Sequence, residues 1–295
     1  MSEKFKFRAH DTFFIRKGWL HKGMKNIILQ PDVFVSREEN PMDVLGIGSN
    51  MVKAMRYWLQ AVGLTTEPTT GRRTQTLTDL GSIIYKNDKY IEEMGTLWLL
   101  HYKLATTIKE ATAWYFFFNE FTLCEFDRDD FTLAINNYIR LNGDEVSERS
   151  LEDDFNCIIN TYVPRVVSSP EKVHPESNID CPLGELGLVD ITNKKKKLYK
   201  KGYPQKDTIH PLIFLAVIMD NAKGQKEIKI AALQNDVMNV GKVFNLDIIT
   251  LTNLLYKTEL LGYIKVIRTA GLDIVRVDTD MDFLGCVIEY CRQID

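Results

Sequence analysis

The chain has 295 residues, of which 45% are hydrophobic and 26% charged, and its formal net charge is −3. This composition is ordinary for a globular protein with two or three modest domains. The sequence contains no run of 18 or more apolar residues, which argues against a membrane span. Its first residues also lack the pattern of a secretory signal, so we expect a cytoplasmic protein.

The five cysteines are scattered, odd in number and include no CxxC pair. This usage favours reduced, mostly buried thiols over a disulfide framework. The nearest metal-like pairing, His174 with Cys181, offers two ligands where a structural zinc site needs four. No metal site is therefore predicted from these residues.

Charge is distributed unevenly along the chain. Residues 1–88 carry 13 Lys and Arg against 9 Asp and Glu, a net charge of +4, whereas residues 89–165 carry 7 against 14, a net charge of −7. The remaining segments, 166–208 and 209–295, have net charges of +2 and −2. A polyanion is therefore expected to bind to the first segment.

The first segment begins with two predicted helices. Asp11 or Thr12 can cap a first helix that Gly23 would end. Asn40 can cap a second, very short helix, with proline at its first position and Gly46 as its stop.

A third helix is predicted from the cap at Gly48 or Ser49 to the stop at Gly63. The glycines before it match neither a dinucleotide fingerprint nor a phosphate-binding P-loop, because the third glycine and the GK pair are missing. The Thr-rich stretch that follows predicts a two-stranded hairpin with Arg72 and Arg73 at its tip, and Thr78 can cap the helix after it. This order of elements is that of a winged helix-turn-helix spanning residues 1–88.

The third predicted helix is amphipathic. At 100° per residue, one face carries apolar side chains: Met51, Met55, Trp58, Leu59 and Val62. The opposite face carries donors that could reach DNA in a major groove. Together with the hairpin tip, the predicted nucleic-acid-binding residues are Ser49, Asn50, Lys53, Arg56, Tyr57, Gln60, Arg72 and Arg73.

Residues 89–165 are predicted to be a helical domain. Their apolar stretch 98–121 is interrupted by charged residues, which favours a buried pair of helices over a membrane span. Residues 166–208 contain four prolines and the lysine run 194–201, and are predicted to be a basic connecting region. The run could be a solvated loop or a non-specific phosphate clamp.

Residues 209–295 are predicted to form a winged-helix-like domain. Pro211 opens an apolar helix to Ala222, a short element covers 230–233, and a longer helix runs from Ile248 to a stop at Gly262. A hairpin with Gly271 in its turn follows. This domain is net negative, so we expect its longer helix to pack or to bind a partner. The fold class as a whole is mainly α, of the α+β type.

No catalytic signature is evident. Isolated fragments such as Glu227-Ile228-Lys229 do not make a metal-dependent nuclease motif, and no nucleophile elbow occurs. His10 with Asp11 could form an acid–base pair, but a helix-capping Asp beside a structural His is the favoured interpretation. The residues alone therefore leave open whether the protein is an enzyme.

Several stretches, in order along almost the whole chain, together resemble a known family: FRAHDTFFIRKGWLHKG, LGIGSNMVKAMRYWL, LTDLG, TLWLLHYKLAT, ATAWYFFFNEF, CPLGELGL and TAGLDIV. The family is the SspB-like family of bacterial DNA phosphorothioation (Ssp) systems, formerly catalogued as a domain of unknown function. The resemblance implies a component of DNA sulfur modification and phage defence. It also implies DNA nicking, for which a divalent metal such as magnesium would be the expected cofactor.

The partners that follow from the resemblance are double-stranded DNA and three proteins of the same system. These are a cysteine desulfurase, an ATPase and a sulfur-transfer protein similar to phosphoadenosine-phosphosulfate reductases. Two alternatives stay open: a transcriptional regulator of the modification operon that binds as a homodimer, and a non-enzymatic scaffold for the sulfur-transfer enzymes. No membrane partner is expected.

Overall fold

The computed structural model describes residues 5–164, 181–269 and 272–294. Helices predominate, and the strands form small antiparallel sheets, so the fold is mixed α+β as expected. One hydrophobic core extends through residues from all the described parts of the chain.

The first segment contains four helices and a short hairpin. They are α1 (Trp19–Leu29), α2 (Pro41–Leu45), α3 (Ser49–Ala61), β1 (Thr65–Thr66), β2 (Thr76–Leu77) and α4 (Asp79–Asn87). The predicted caps of α2 and α4 are confirmed, because the side chains of Asn40 and Thr78 accept hydrogen bonds from Met42 N and Gly81 N. Gly46 ends α2 with a φ of 61°, a left-handed conformation that suits glycine.

The predicted bounds of the first helix are wrong. Asp11 and Thr12 lie in turns with φ values of 51° and 69°, and α1 begins only at Trp19. Gly23 lies inside α1 and does not end it. A Cβ atom at Gly23 would lie 2.5 Å from Leu59 Cδ1, so this glycine lets α1 and α3 approach closely.

The second segment is helical, as predicted. It contains α5 (Met94–Thr106), α6 (Thr112–Asn119), β3 (Glu125–Phe126), α7 (Arg128–Leu141) and α8 (Glu148–Tyr162). Trp98, Trp114 and Phe117 are fully buried, so α5 and α6 form the expected apolar pair. Within the described ranges, no helix is both long and apolar enough to cross a bilayer.

The part of residues 166–208 that the structure describes contains regular elements. A 3₁₀ helix (Pro182–Leu186) precedes β4 (Val189–Asn193) and β5 (Leu198–Lys201). These strands form an antiparallel sheet with the order β3-β5-β4, in which Phe126 lies opposite Tyr199. The prolines at 170 and 175 lie outside the described residues.

The last segment follows the predicted order. Its elements are α9 (Pro211–Ala222), β6 (Glu227–Lys229), α10 (Ile230–Asn235), α11 (Val240–Val243), α12 (Ile248–Leu260), β7 (Ile264–Thr269), β8 (Leu272–Val277) and α13 (Phe283–Ile294). The hairpin of β7 and β8 is confirmed, although Gly271 in its predicted turn lies outside the described residues. The fragment 227–229, which has no recognisable strand pattern, pairs with β8 and gives the sheet order β6-β8-β7.

Two buried contacts join the last segment to the second one. His101 on α5 is fully buried, with Nδ1 2.8 Å from Tyr162 Oη and Nε2 2.8 Å from the Val243 carbonyl oxygen. At the start of α5, a Cβ atom at Gly95 would lie 2.3 Å from the ring of Tyr290, whose hydroxyl accepts a hydrogen bond from Gly95 N. The segments defined from the sequence therefore share one core.

Candidate nucleic-acid interface

Helix α3 turns its apolar face inward, as predicted. Met55, Trp58 and Leu59 are fully buried, and Trp58 Nε1 donates a hydrogen bond to the Phe13 carbonyl oxygen at 2.8 Å. At the amino-terminal half of the helix, Ser49, Asn50 and Lys53 are exposed. These three side chains and the helix amino terminus therefore face solvent.

Tyr57 does not lie on the exposed face, so its assignment as an outward-facing contact is wrong. Only 7% of the residue is exposed, and its hydroxyl donates to the Glu110 carbonyl oxygen at 2.8 Å. Burial, followed by the charge of Asp154, raises the pKa of Tyr57 well above its usual value. The second segment covers this side of α3, which the helical period of α3 alone does not reveal.

Arg56 is partly buried and forms a two-pronged ion pair with Glu67. The distances are 2.9 Å from Arg56 Nε to Glu67 Oε2 and 2.6 Å from Arg56 Nη2 to Glu67 Oε1. Arg73 Nε lies 3.9 Å from the same Oε1 atom, so Glu67 ties α3 to the hairpin. Gln60 is also partly buried, and its Nε2 donates to the Arg56 carbonyl oxygen at 3.2 Å.

The hairpin tip is exposed but not free of acidic neighbours. The side chains of Arg72 and Arg73 are 72% and 68% exposed, and Arg72 pairs with Asp32. Lys53 differs from these arginines, because no carboxylate of the described residues lies within 4.0 Å of its Nζ. The Lys53 Nζ atom lies 3.5 Å from Asn50 Oδ1. We call Ser49, Asn50, Lys53, Arg72 and Arg73 the exposed basic face.

The sequence predicted that Arg56, Arg72 and Arg73 would serve one DNA-binding surface, but it did not reveal their acidic partners. Glu67 follows Arg56 by 11 residues, and Asp32 precedes Arg72 by 40. Neither spacing is the i, i+3 or i, i+4 pattern that marks an ion pair on a helix. The three predicted arginines, Arg56, Arg72 and Arg73, are therefore already paired with carboxylates, which phosphates would have to replace on DNA binding.

The lysine run lies apart from α3. Residues 194–197 form the turn between β4 and β5 and are exposed, whereas Lys200 and Lys201 lie on β5. The antiparallel sheet holds this turn against β3 of the second segment. A solvated loop and a phosphate clamp are both compatible with this position.

His10 is buried, and its partner is Asp154 and not Asp11, which does not cap a helix. His10 Nε2 lies 2.6 Å from Asp154 Oδ1, and Thr12 N donates to His10 Nδ1 at 3.1 Å. Because Nδ1 accepts this hydrogen bond, the ring donates to Asp154 from Nε2. The side chains of His10 and Asp154 are 1% and 2% exposed, so a substrate cannot reach this pair.

A divalent metal would need several donor side chains close together. Within residues 5–164, 181–269 and 272–294, no group of three or more His, Cys, Asp or Glu side chains is arranged to hold a metal ion. Magnesium prefers octahedral oxygen coordination, often through one or two carboxylates. The described residues do not supply a pre-formed carboxylate cluster for it.

Comparisons with known proteins agree with this fold. The profile of a family described as "Protein of unknown function (DUF4007)" matches residues 7–289. A magnesium ion-bound SspB crystal structure is similar with a TM-score of 0.85 and 25% sequence identity, over 98% of this chain and 88% of that chain. A second SspB crystal structure gives a TM-score of 0.81 and 26% identity, over 98% of this chain and 86% of that chain.

No curated protein matches the chain in sequence. The family match covers nearly the whole chain, and both similar structures are SspB proteins, which confirms the resemblance inferred from the sequence. The chain therefore belongs to the DUF4007 family and shares the fold of SspB.

Proposed function

We propose that this protein is the DNA-binding component of a bacterial DNA phosphorothioation and phage-defence system. It would hold duplex DNA so that a strand can be nicked or presented for sulfur insertion. The similarity to SspB over 98% of the chain supports a role in an Ssp system. The DNA-binding part of the proposal depends on the geometry of α3 and the hairpin.

The observation that carries DNA binding is the exposed basic face. Ser49 and Asn50 lie at the exposed amino terminus of a 13-residue helix, where backbone N–H groups and the helix dipole favour a phosphate. Lys53 lies one turn further along. Glu67 pairs with Arg56 on this helix and lies 3.9 Å from Arg73 on the hairpin, so one duplex could contact both elements.

The order of elements supports a winged-helix reading of both ends of the chain. In the last segment, α9, β6, α10, the one-turn α11, α12, β7 and β8 follow one another, and the sheet order β6-β8-β7 is the one expected for a wing. On α12, Ile249 is 71% exposed and Leu260 is 86% exposed. An apolar surface of this kind suits a protein partner better than DNA, so we assign α12 to contacts with the sulfur-transfer proteins.

Nicking and its magnesium requirement are part of the proposal but have no assigned residues. The described residues offer no pre-formed metal cluster, so no catalytic step is assigned to them. In a nicking reaction, bound magnesium would supply charge stabilisation at the phosphodiester. The exposed basic face would contribute positioning of the duplex.

Charge reversal tests the DNA-binding surface. Lys53→Glu and Arg72→Glu should each weaken binding to a duplex, and each should lower the slope of log affinity against log salt by about 1. Lys265→Glu is the matched control, because Lys265 is an exposed lysine on β7 of the last segment. Binding is measured by retardation of the duplex on a gel. If all three changes weaken binding equally, or if none of them does, the assignment is wrong.

A supercoiled plasmid separates the alternatives. Open circles that form only with magnesium support nicking. Intact, retarded plasmid with a protected palindromic site supports a dimeric regulator. An unretarded plasmid supports a scaffold that binds only the proteins of the system.

A further inference from the structure

A cleft of about 420 Å³ lies between the second and last segments, away from α3. Three sections of chain line it: residues 118–124, residues 200–203 on and after β5, and residues 234–246 around α10 and α11. Its volume is within the range of small-molecule binding sites. The cleft is therefore large enough for a ligand of nucleotide size.

All the charged side chains that line the cleft are basic. Lys200, Lys201 and Lys242 line it, and none of the lining residues, all of which lie in the described ranges, is an Asp or Glu. Lys200 has only a loose partner outside the cleft, with its Nζ 3.7 Å from Asp190 Oδ2. Burial, and then the charge of Lys242, lower the pKa of Lys201 to about 7.

A purely structural role explains part of this arrangement. Lys201 Nζ donates to the Phe121 carbonyl oxygen and lies 5.1 Å from the ring centroid of Phe117, so these groups account for its position. They do not account for Lys242, whose positive charge disfavours protonation of Lys201. An anion between the two ammonium groups would remove this repulsion.

The remaining walls of the cleft indicate what the anion is attached to. Phe118 and Phe121 form an apolar wall, and Tyr203 at the cleft is 63% exposed. Exposed aromatic rings beside basic side chains are the usual means of holding a base and its phosphate. The amide side chains of Asn235 and Asn245 also line the cleft. Their Nδ2 atoms donate to the carbonyl oxygens of Ala231 and Gly202, so toward a base they would act as acceptors through Oδ1.

We propose that this cleft binds a nucleoside phosphate, with Lys201 and Lys242 on the phosphate and Tyr203 stacked on the base. The ligand is either a free nucleotide or a phosphorylated end of a single DNA strand. Ligand binding in this cleft does not depend on duplex binding by α3. The two proposals can therefore succeed or fail separately.

The experiment uses the full chain and the single exposed cysteine. Cys124 lines the cleft, whereas the other four cysteines are buried, so a thiol reagent should label Cys124 selectively. Adenosine monophosphate and a short 5′-phosphorylated single-stranded oligonucleotide serve as probes, with adenosine and inorganic phosphate as partial ligands. Occupation of the cleft should slow labelling of Cys124 and should also be visible by calorimetry.

Lys242→Gln should weaken binding of the phosphorylated probes about tenfold, since it removes a charge-assisted hydrogen bond. Tyr203→Ala should weaken them about fivefold and leave inorganic phosphate unaffected. Lys265→Gln, at an exposed residue of β7 that does not line the cleft, is the control and should leave binding unchanged.

Equal affinity for the mononucleotide and the oligonucleotide identifies a free nucleotide as the ligand, whereas binding of the oligonucleotide alone identifies a strand end. Failure of both probes to bind or to protect Cys124 at millimolar concentration overturns the proposal. Binding that Lys265→Gln weakens as much as Lys242→Gln also overturns it.

Discussion

The buried histidine on α5 makes the stability of this protein depend on pH. His101 accepts a hydrogen bond at Nδ1 from the Tyr162 hydroxyl and donates one from Nε2 to the Val243 carbonyl oxygen, so the neutral ring satisfies both partners. Burial lowers the pKa of His101 from 6.5 to about 4, against a smaller opposing effect of the Val243 hydrogen bond. The folded protein therefore binds this proton only at much lower pH than the unfolded chain.

The sign and size of the effect follow from proton linkage. Below pH 6.5 the unfolded chain takes up a proton that folded His101 takes up only near pH 4, so stability falls as the pH falls through this interval. With about 1.4 kcal/mol for each pKa unit, the free energy of unfolding should drop by about 3 kcal/mol between pH 7.5 and pH 4. Such a loss is a large fraction of the stability of a typical domain.

Urea denaturation followed by tryptophan fluorescence, on the wild type and on His101→Gln, isolates this contribution. Glutamine can donate to Val243 but does not titrate, so the variant should be less stable at pH 7.5 and should lose this histidine's share of the pH dependence. Carboxylates titrate in both proteins and cancel in the difference between the two unfolding free energies. Parallel pH profiles for the two proteins would refute the argument.

Three further changes probe the fold and the DNA surface. Glu67→Gln should release the two arginines that pair with Glu67. The slope of log affinity for duplex DNA against log salt should then become steeper by about 1 for each arginine that reaches a phosphate. An unchanged slope in gel-retardation measurements at several salt concentrations would contradict this. Gly81→Ala places a Cβ 2.0 Å from the Leu64 carbonyl oxygen and should destabilise the protein by about 2 kcal/mol or more, despite the better helix propensity of alanine. A thermal midpoint at or above that of the wild type would disprove the clash. Thr78→Val removes the cap of α4, because Thr78 Oγ1 accepts a hydrogen bond from Gly81 N at 2.9 Å. The free energy of unfolding, measured by urea denaturation, should fall by about 1 kcal/mol. No loss would mean that the cap does not stabilise the protein.

Elements with complete local signals were predictable from the sequence. Helix α2 has an Asn cap, a proline at its first position and a glycine at its end, and its observed bounds follow from these residues. The same holds for the start of α4 after Thr78 and for the start of α9 at Pro211. These signals work because each satisfies backbone groups within four residues of itself.

Features that depend on distant contacts were not predictable. The turns around His10 depend on Asp154, which is 144 residues away, so nothing local prevented a helix from being assigned there. Tyr57 is buried by a loop 53 residues away, and the counter-ion of Arg56 is set by the path of the hairpin. The sequence could thus place the cations of the candidate DNA surface but not their partners or the three-lysine cleft.

The contact between Gly95 and Tyr290 has a consequence for biosynthesis. The phenol ring fills the space above a residue that has no side chain, and the two positions are 195 residues apart. During synthesis this contact cannot form until Tyr290 has left the ribosome, so α5 emerges with the surface around Gly95 uncovered. Fragments expressed without α13 should therefore need a chaperone or aggregate, however well their own helices are capped.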